Sequence, residues 1–431
     1  MIRKCDNMEF VTNIEKNEYE DFVVNSIKSH FMQSSYWGEF AYLEKKLIPH
    51  YVGIKKNDKL VCASLLLEKK LPLGYSYFYA PRGFVIDFND FNLLDTFTKN
   101  IITYVKKKKG IFFKIDPDFI IHKYNYLDEA LTLPYDYQKV FNHLISLGYK
   151  HKGFTKRFEL TEPRFTFRIP FNQSFEDIEE HFSKTTKQRI KKAEKLGVTV
   201  EIASNVDNFY NLMKITENRK NFITYNKEYY AKLFEIFKGK CNIFLGSIHV
   251  DKIINDLNFE LNTINNELNE FKSVENLSKS QNSKINELKK RKEKIESDIK
   301  EYQGNQNKYG NDIILSAHFI IEYGDKAWVL YAGNHDILSS TYTNYKTYLE
   351  HIRYYYNKRI KFYDQFGTVG KLEENDHLQG LHDFKKKFGG DYVEFIGEFD
   401  YITNKFMYFI FNKLVPIYRN IQFKKNAKNN K

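Results

Sequence analysis

The sequence has little cysteine and no long apolar run, and both absences restrict what it can encode. Its three cysteines, Cys5, Cys62 and Cys241, lie far apart without a CxxC or Cys/His cluster, so neither a disulfide framework nor a zinc site is predicted. No segment approaches the roughly 20 apolar residues of a membrane span, and the N-terminus, MIRKCDNMEF, lacks the apolar core of a signal peptide. We therefore expect a cytoplasmic protein without a metal.

Common catalytic motifs are missing as well. The sequence contains no GxxxxGK[ST] loop, no GxSxG elbow, no HExxH pair and no GxGxxG after a predicted strand. Redox, protease and NTPase activities are thereby disfavoured, and no cofactor is expected.

Aromatic and basic residues are abundant instead. At 17% aromatics in 431 residues, most of the chain should fold, and the length predicts two or more domains. The formal charge of +12 indicates a polyanionic partner: nucleic acid, a phosphorylated metabolite or an anionic membrane surface. The basic tail, residues 423–431, is either a membrane contact or a frayed terminus.

Residues 251–310 form a charged, amide-rich stretch between segments crowded with Phe and Tyr. Apolar residues recur in each half at three- and four-residue steps, which is heptad spacing, broken only where Lys292 occupies a seam position in the second half. They are Leu257, Leu261, Ile264, Leu268 and Phe271, then Ile285, Leu288, Ile295, Ile299 and Tyr302. Residues 275–283 (ENLSKSQNS) lie between them and favour a turn. The pattern predicts an antiparallel helical hairpin inserted as an arm, and a solvated linker is the alternative.

An α/β domain is predicted on each side of this arm. In residues 1–155, HYVGIKKNDKLVCASLLLEKK indicates a strand hairpin, residues 93–109 a helix capped by Gly110, residues 137–147 a helix ending at Gly148, and IFFKIDP a buried strand. Residues 156–250 and 311–431 predict a second domain, whose C-terminal end is a candidate to pack on the first. It includes a helix over residues 174–195, the strand VTVEI and the strand IKFYDQFG. A duplicated α/β fold with a cleft between the copies is expected.

A lysine ridge is predicted on the helix that contains SKTTKQRIKKAEK. Lys184, Lys187, Lys191 and Lys195 fall on one helical face, while Ile190 and Ala193 turn toward the core. Such a ridge could hold several phosphates in a salt-dependent manner. A solvated helix face is the alternative.

Two further groups carry candidate chemistry. Lys385 lies within FKKKF at residues 384–388, where an ammonium among aromatic rings could steady an oxyanion or clamp a phosphate; chance in a basic, aromatic chain is the alternative. Asp116 precedes a proline, which keeps it extended at a strand end, where it could orient or deprotonate an amine or simply cap a turn.

A possible phosphate contact ends the segment LMKITENRK. There, Arg219 with Lys220 could hold a diphosphate through the guanidinium fork. A charge that only complements the helix dipole is the alternative.

Taken in order, these pieces resemble the Fem family of peptidoglycan bridge-forming aminoacyltransferases. The resemblance runs from about residue 31 to residue 414 and rests on an ordered set of segments. These are FMQSSYWGEF, YSYFYAPRGFVID, FFKIDPD, LGYKHKGF, EPRFTFRI, KQRIKKAEKLGVTVE, LMKITENRKNFITYNKEYY, the helical arm, WVLYAG and GLHDFKKKFGGDYVEFIGEFD.

The resemblance implies an α/β fold of two GNAT-like (N-acyltransferase) domains, here with an inserted coiled-coil arm. It implies transfer of glycine, alanine or serine from aminoacyl-tRNA to the stem-peptide lysine amine, or to a growing bridge, of a lipid-linked precursor at the inner membrane face. Aminoacyl-tRNA would be a co-substrate, with no cofactor. Because the ester is already activated, the reaction needs alignment and charge stabilisation rather than an enzyme nucleophile.

The resemblance also implies roles for individual residues. Catalytic roles fall to Lys385, Phe384 and Asp116; substrate contacts to Arg219, Tyr331, Gly333, Trp37, Gln33 and Tyr229; and tRNA contacts to Lys184, Lys187, Lys191 and Lys195. One departure concerns a lysine that follows the first-motif tryptophan in a member using a nucleotide-linked precursor. Here Trp37 is followed by Gly38, Glu39, Phe40 and Ala41, so either Lys45 or Lys46 substitutes or the acceptor is lipid-linked.

Two other functions remain open from the sequence. A GNAT-type N-acyltransferase using acyl-CoA would need a Gly-rich pyrophosphate loop, which is missing from the sequence. A non-catalytic RNA-binding scaffold built on the arm would not depend on Lys385.

Overall fold

The protein is described by a computed structural model that covers residues 8–220, 223–272, 276–372, 376 and 378–414. Cys5, the tail at residues 423–431 and the side chain of Lys220 lie outside the described part.

Strands and helices alternate along most of the chain. The strands are β1 (Met8–Thr12), β2 (Ile48–Lys56), β3 (Lys59–Lys70), β4 (Ser76–Ala80), β5 (Gly110–Ile115), β6 (Ile120–Tyr124), β7 (Lys150–His151), β8 (Phe165–Pro170), β9 (Thr199–Ile202), β10 (Cys241–His249), β11 (Asp312–Tyr323), β12 (Lys326–Asn334), β13 (Phe362–Asp364), β14 (Asp391–Phe395) and β15 (Phe399–Ile402). The helices are α1 (Lys16–Asn25), α2 (Ser35–Lys45), α3 (Phe91–Lys107), α4 (Tyr137–Ser146), α5 (Phe175–Glu180), α6 (Lys184–Lys195), α7 (Asp207–Lys220), α8 (Lys227–Ile236), α9 (Val250–Lys272), α10 (Lys279–Tyr309), α11 (Thr343–Asn357), α12 (Gln379–Lys386) and α13 (Lys405–Phe409).

Two mixed sheets organise these elements, as an α/β class predicts. The first has the strand order β1-β2-β3-β4-β5-β15-β7, and the second β6-β14-β8-β13-β12-β11-β10-β9. Each sheet is antiparallel except for one parallel pair, β4 with β5 and β12 with β13. Helix α3 connects the first parallel pair and α11 the second, so the two sheets share one plan. The GNAT-like assignment stays a prediction.

The sheets exchange strands. Strand β6 follows β5 in the chain but pairs with β14 in the second sheet, and β15, near the end of the described chain, pairs with β5 and β7 in the first. The C-terminal end therefore packs on the first sheet, and each sheet is completed by a strand from the other half. The division at residue 155 stays a prediction, because the sheets interleave across it.

Apolar contacts join the two halves over a wide area. One buried cluster contains residues of both, and Phe31 packs edge-on against Trp328 with ring centroids 5.2 Å apart. Because this shared cluster removes apolar surface of both halves from water, it stabilises the association of the two sheets.

The predicted arm is a pair of helices, α9 and α10. Ile264, Leu288, Ile295 and Ile299 form its buried seam. The start of α10 contacts the end of α9 through Lys284 and Glu267, and the end of α10 contacts the start of α9 through Gln306 and Asp251. The two helices therefore run antiparallel. Supercoiling of the pair stays a prediction.

Several local predictions are confirmed and three are wrong. The 48–70 hairpin forms, with Asn57 and Asp58 at positive φ as a two-residue turn requires, and Gly148 follows α4 at φ +99. The helix predicted over residues 174–195 instead breaks into α5 and α6, because Ser183 caps a new helix at the Thr186 amide. Gly110 opens β5 instead of capping α3, and Lys109 takes the left-handed conformation. The strand predicted over IKFYDQFG is only Phe362–Asp364.

Among the described residues, no helix is both long and apolar enough to cross a membrane.

Candidate active site

A closed crevice lies where the two sheets meet. It is lined by His30, Arg82, Phe165, Thr166, Arg168, Trp328, Asp364, Phe366, Gly367 and Phe395. Its volume of about 10 Å³ is about the minimum that holds one water molecule. In this state substrates could therefore reach only its rim.

Arg168 ties the two halves together at this crevice. Its Nε donates to Asp364 Oδ2 at 2.7 Å, and its Nη2 donates to Asp118 Oδ2 at 2.6 Å. Burial alone would raise the pKa of Asp118, but the Arg168 guanidinium outweighs burial and holds that pKa well below its usual range. A guanidinium shared by two carboxylates is a directional tie, and it links the loop after β5 to β8 and β13.

Asp116 is buried beside this tie, at the end of β5. Its Oδ1 accepts from the Arg82 amide at 2.7 Å and its Oδ2 from the Tyr79 hydroxyl at 3.0 Å. Burial raises the pKa of Asp116 to about 7, because an ionised carboxylate is poorly solvated there. A carboxyl with this pKa can exchange protons at neutral pH.

Lys385 is buried on α12 and points inward. Its Nζ donates to the carbonyl oxygens of Phe366, at 2.5 Å, and Gly367, at 2.7 Å, and both residues line the crevice. Burial lowers the pKa of Lys385 to about 7, and Asp364 opposes that shift. An ammonium has three N–H donors, so one remains after these two bonds.

Phe384, predicted as a partner of Lys385, packs on the other side of α12. Its ring contacts those of Tyr345, Tyr348 and Phe388, with centroid distances of 5.0 to 5.4 Å. These contacts fix the helix that carries Lys385, and they join Phe384 to the core rather than to the crevice.

Tyr331 and Tyr229, both predicted substrate contacts, meet directly. Their hydroxyl oxygens are 2.9 Å apart, and the ring of Tyr225 stacks on Tyr229 with a centroid distance of 3.7 Å. Lys45 Nζ lies 5.9 Å from the Tyr225 centroid, so one of the two lysines proposed to replace the missing one borders this tyrosine cluster. Tyr331 is three residues from crevice-lining Trp328 on β12, about 10 Å along a strand.

Gly333, two residues beyond Tyr331 on β12, packs against α7, and Arg219 lies near the end of that helix. A Cβ built on Gly333 would lie 2.9 Å from the Met213 nitrogen, so this glycine allows β12 and α7 to approach closely. Arg219 is exposed near the end of α7 and lowers the pKa of Asp336 as the last of several causes, the first being a backbone hydrogen bond. Its side chain is open to solvent.

Gln33 and Trp37 have packing roles in this structure. Gln33 Nε2 donates to Pro81 O at 2.7 Å and its Oε1 accepts from Leu65 N at 2.9 Å, which fixes the turn that carries Arg82. Trp37 is buried against Phe31 and Phe40. Both side chains are buried here. Their predicted contacts with substrate stay predictions.

The lysine ridge lies on α6. Lys184, Lys187, Lys191 and Lys195 are exposed, while Ile190 and Ala193 are buried, as the helical spacing predicts. Lys187 Nζ donates to the Glu180 carbonyl at 2.9 Å, a contact that an incoming phosphate could replace. Phosphate binding by the ridge stays a prediction.

None of the residues that line the crevice was predicted as a site residue, and the most informative of them are Arg82, Arg168 and Asp364. A signal existed for Arg168, because it interrupts the apolar run FTFRIP, and a buried guanidinium requires carboxylate partners. The identity of those partners depends on the strand exchange, which no local pattern reveals.

Sequence comparison finds relatives over almost the whole chain. The model of the FemAB family matches residues 14–415. An aminoacyltransferase FemA of Staphylococcus epidermidis is 30% identical over 414 residues, covering 93% of this chain and 98% of the relative. A lipid II:glycine glycyltransferase of Staphylococcus epidermidis (strain ATCC 35984) is 27% identical over 417 residues, covering 94% and 95%.

Structural comparison gives a concordant result. The crystal structure of FemX superposes with a TM-score of 0.73 at 25% identity and covers 93% of this chain and 98% of that one. The two-sheet fold is thus shared along its whole length.

Proposed function

The chain belongs to the FemAB family and is an aminoacyltransferase of peptidoglycan bridge formation, and from that premise we propose its reaction. It transfers glycine, alanine or serine from aminoacyl-tRNA to the stem-peptide lysine amine, or to a growing bridge, of a lipid-linked precursor. A relative named for lipid II that spans 94% of this chain supports the lipid-linked acceptor.

The observation that carries the proposal is that Lys385 and Asp116 each contact a residue that lines the same crevice. One is a buried amine at the rim of the crevice, and the other is a buried carboxyl held by a residue that lines it. Both have a pKa near 7. Amine attack on an activated ester needs charge stabilisation and proton transfer, and these two groups can supply both.

In the proposed step, the acceptor amine attacks the carbonyl carbon of the aminoacyl ester. A C–N bond forms, the carbonyl oxygen becomes an oxyanion, and the remaining N–H of the Lys385 ammonium donates to it. Asp116, ionised, takes the proton that the amine loses. The carbonyl re-forms as the ester C–O bond breaks, and Asp116 passes its proton to the leaving ribose oxygen of the tRNA, so no bond to the enzyme forms.

The acceptor would lie along the tyrosine cluster. The hydroxyls of Tyr331 and Tyr229 offer hydrogen bonds, and exposed Arg219 and Lys45 offer positive charge to the precursor's diphosphate. Gly333, Gln33 and Trp37 support this region by allowing or fixing the approach of neighbouring elements.

The tRNA would lie on basic helices outside the crevice. The α6 ridge presents four exposed lysines, and the pair α9–α10 adds further basic residues on its outer faces. Salt-dependent binding to phosphates is the expected mode. A lipid-linked acceptor would bring the enzyme from the cytoplasm to the inner face of the membrane.

The test is a transfer assay with labelled aminoacyl-tRNA and a lipid-linked muropeptide. Each charged tRNA should be tried against unmodified and once-extended precursor. Lys385→Ala should lose most of the rate, at least about 100-fold if it removes one oxyanion donor. Lys387→Ala, two residues away and half-buried, is the matched control and should keep it.

Two outcomes would contradict the proposal. Transfer from acyl-CoA but not from aminoacyl-tRNA would indicate the GNAT-type alternative. A function that survives Lys385→Ala but is lost with the helix pair would indicate an RNA-binding scaffold.

A further inference from the structure

Large apolar side chains protrude at one corner of the first sheet. The turn Pro72–Gly74 exposes 86% of Leu73, and α13 exposes 71% of Phe406 and 56% of Phe409. Isolated exposed side chains are ordinary on a protein surface, so their significance depends on what surrounds them.

Exposed lysines lie on the same and adjoining segments. Lys106, Lys107, Lys109 and Lys405 are exposed, and within the described ranges none of the four forms an ion pair with a carboxylate. Leu73, Lys106, Lys109 and Asn404 line a common depression. Since Asn404 caps α13 at the Met407 amide, this depression brings the turn, the end of α3 and the start of α13 together.

Contacts on its inner side hold α13 in place. Tyr408 packs edge-on against Phe112 at 5.3 Å, and Phe411, just beyond the helix, packs against Tyr77 at 5.4 Å. The Tyr408 hydroxyl donates to Asp400 Oδ2 at 2.6 Å. With these side chains turned inward, Phe406 and Phe409 face outward from an anchored element.

The same sheet face leads to the site. Side chains alternate along a strand, so Phe112, Lys114 and Asp116 share one face, and Tyr79 on β4 reaches Asp116 from that face. Phe112 and Asp116 are about 13 Å apart along the strand.

We propose that Leu73, Phe406 and Phe409, together with Lys106, Lys107, Lys109 and Lys405, form a docking surface for an anionic membrane. The inference rests on the proposed function, because a lipid-linked acceptor requires the enzyme to work at a lipid surface. Unpaired lysines complement anionic headgroups, and protruding apolar side chains reach the acyl boundary between them. The lipid surface and Asp116 then lie at two ends of one sheet face.

The test is co-sedimentation of the full chain with vesicles. Phosphatidylglycerol–phosphatidylcholine vesicles should bind it, and phosphatidylcholine alone should bind it much less. Two variants address the two parts of the surface: L73S/F406S/F409S removes the apolar group, and K106E/K109E reverses two charges. Each should reduce binding to anionic vesicles by about tenfold or more.

Matched controls come from other exposed positions. Phe259 on α9 is 77% exposed and Lys99 on α3 is exposed, so F259S and K99E should bind vesicles as the unmodified chain does. All variants should keep the circular dichroism of the unmodified chain, because the substituted side chains lie outside the core.

Three results would overturn the docking surface: no binding of the unmodified chain to anionic vesicles, unchanged binding of both variants, or equal loss in the controls. A change in sedimentation of L73S/F406S/F409S without vesicles would also overturn it, by showing that a second copy covers the patch.

A soluble acceptor separates the two proposals. With a nucleotide-linked muropeptide, L73S/F406S/F409S should retain the unmodified rate, while transfer to the lipid-linked acceptor in vesicles should fall. If the unmodified chain transfers to neither acceptor, the proposed function fails, and the vesicle experiment still decides the surface.

Discussion

At the scale of residues, Lys385 and Asp116 have opposite requirements. Both pKa values are near 7 because burial disfavours the charged forms. The proposed step needs Lys385 protonated and Asp116 ionised, which is the combination that burial opposes on both sides. At any pH only a fraction of the enzyme molecules has Lys385 protonated and Asp116 ionised, and that fraction is greatest near neutrality.

The transfer rate should therefore follow a narrow bell against pH. The rate rises as pH passes about 7 and Asp116 loses its proton, and it falls as Lys385 loses its own. Asp116→Asn should remove the acid limb. Lys385→Arg, which stays charged, should remove the alkaline limb at a reduced rate. At each pH the rate of the variant is divided by the rate of the unmodified enzyme, so that titration of the acceptor amine cancels. An alkaline limb that survives in Lys385→Arg would exclude Lys385 as its source.

Asp364 interacts with both Arg168 and Lys385. It accepts from Arg168 and raises the pKa of Lys385. Asp364→Asn should shift the alkaline limb to lower pH, because the lysine loses a nearby negative charge. It should also destabilise the fold by about 3–5 kcal/mol, as expected for removing one partner of a buried pair, measured by chemical denaturation. Asp325→Asn, in an exposed pair with Lys361, should change stability by less than about 1 kcal/mol, and an unmoved limb in Asp364→Asn would separate this carboxylate from Lys385.

At the scale of elements, periodic patterns were the reliable guide. The seam of α9 and α10 and the faces of α6 follow from residue spacing, because each helix must bury one stripe. The break between α5 and α6 was missed because the pattern continues across Ser183, and only the cap contact ends one helix and starts the next. The motifs around Asp116 and Lys385 predict that these two residues belong to the site. No motif predicts their contacts with Arg82, Phe366 and Gly367, because those contacts join distant parts of the chain.

The α6 ridge is testable as an element. Lys187→Glu with Lys191→Glu should weaken tRNA binding and reduce the slope of log affinity against log salt by about 1 for each lysine lost. Binding is measured by filter retention across a salt series. Lys99→Glu serves as the charge control, and equal affinity of the double variant and this control would remove the ridge from the tRNA surface.

At the scale of the whole molecule, the strand exchange makes the halves interdependent. Strand β15 lies between β5 and β7, so residues 1–155 leave a gap inside their own sheet. The second sheet likewise needs β6 at its edge. The site shares this dependence, because Asp116 and Lys385 come from opposite ends of the chain.

The fragment 1–155 should therefore not fold alone. We expect it to lack a cooperative unfolding transition by circular dichroism, because β5 and β7 have no neighbour between them and expose unpaired backbone groups. Co-expression with residues 156–431 should restore a folded complex, which is the control. Cooperative unfolding of the isolated fragment would mean that β15 is dispensable to the first sheet.

Because the sheets interleave, β5 must wait for its neighbour β15 during synthesis. Strand β5 leaves the ribosome roughly 280 residues before β15, which at 5–20 residues per second is a delay of about 15–60 s. During that interval the nascent chain carries an open strand edge that could pair with other chains. The first sheet is therefore incomplete until β15 emerges, and the nascent chain holds an open gap between β5 and β7 for that whole interval.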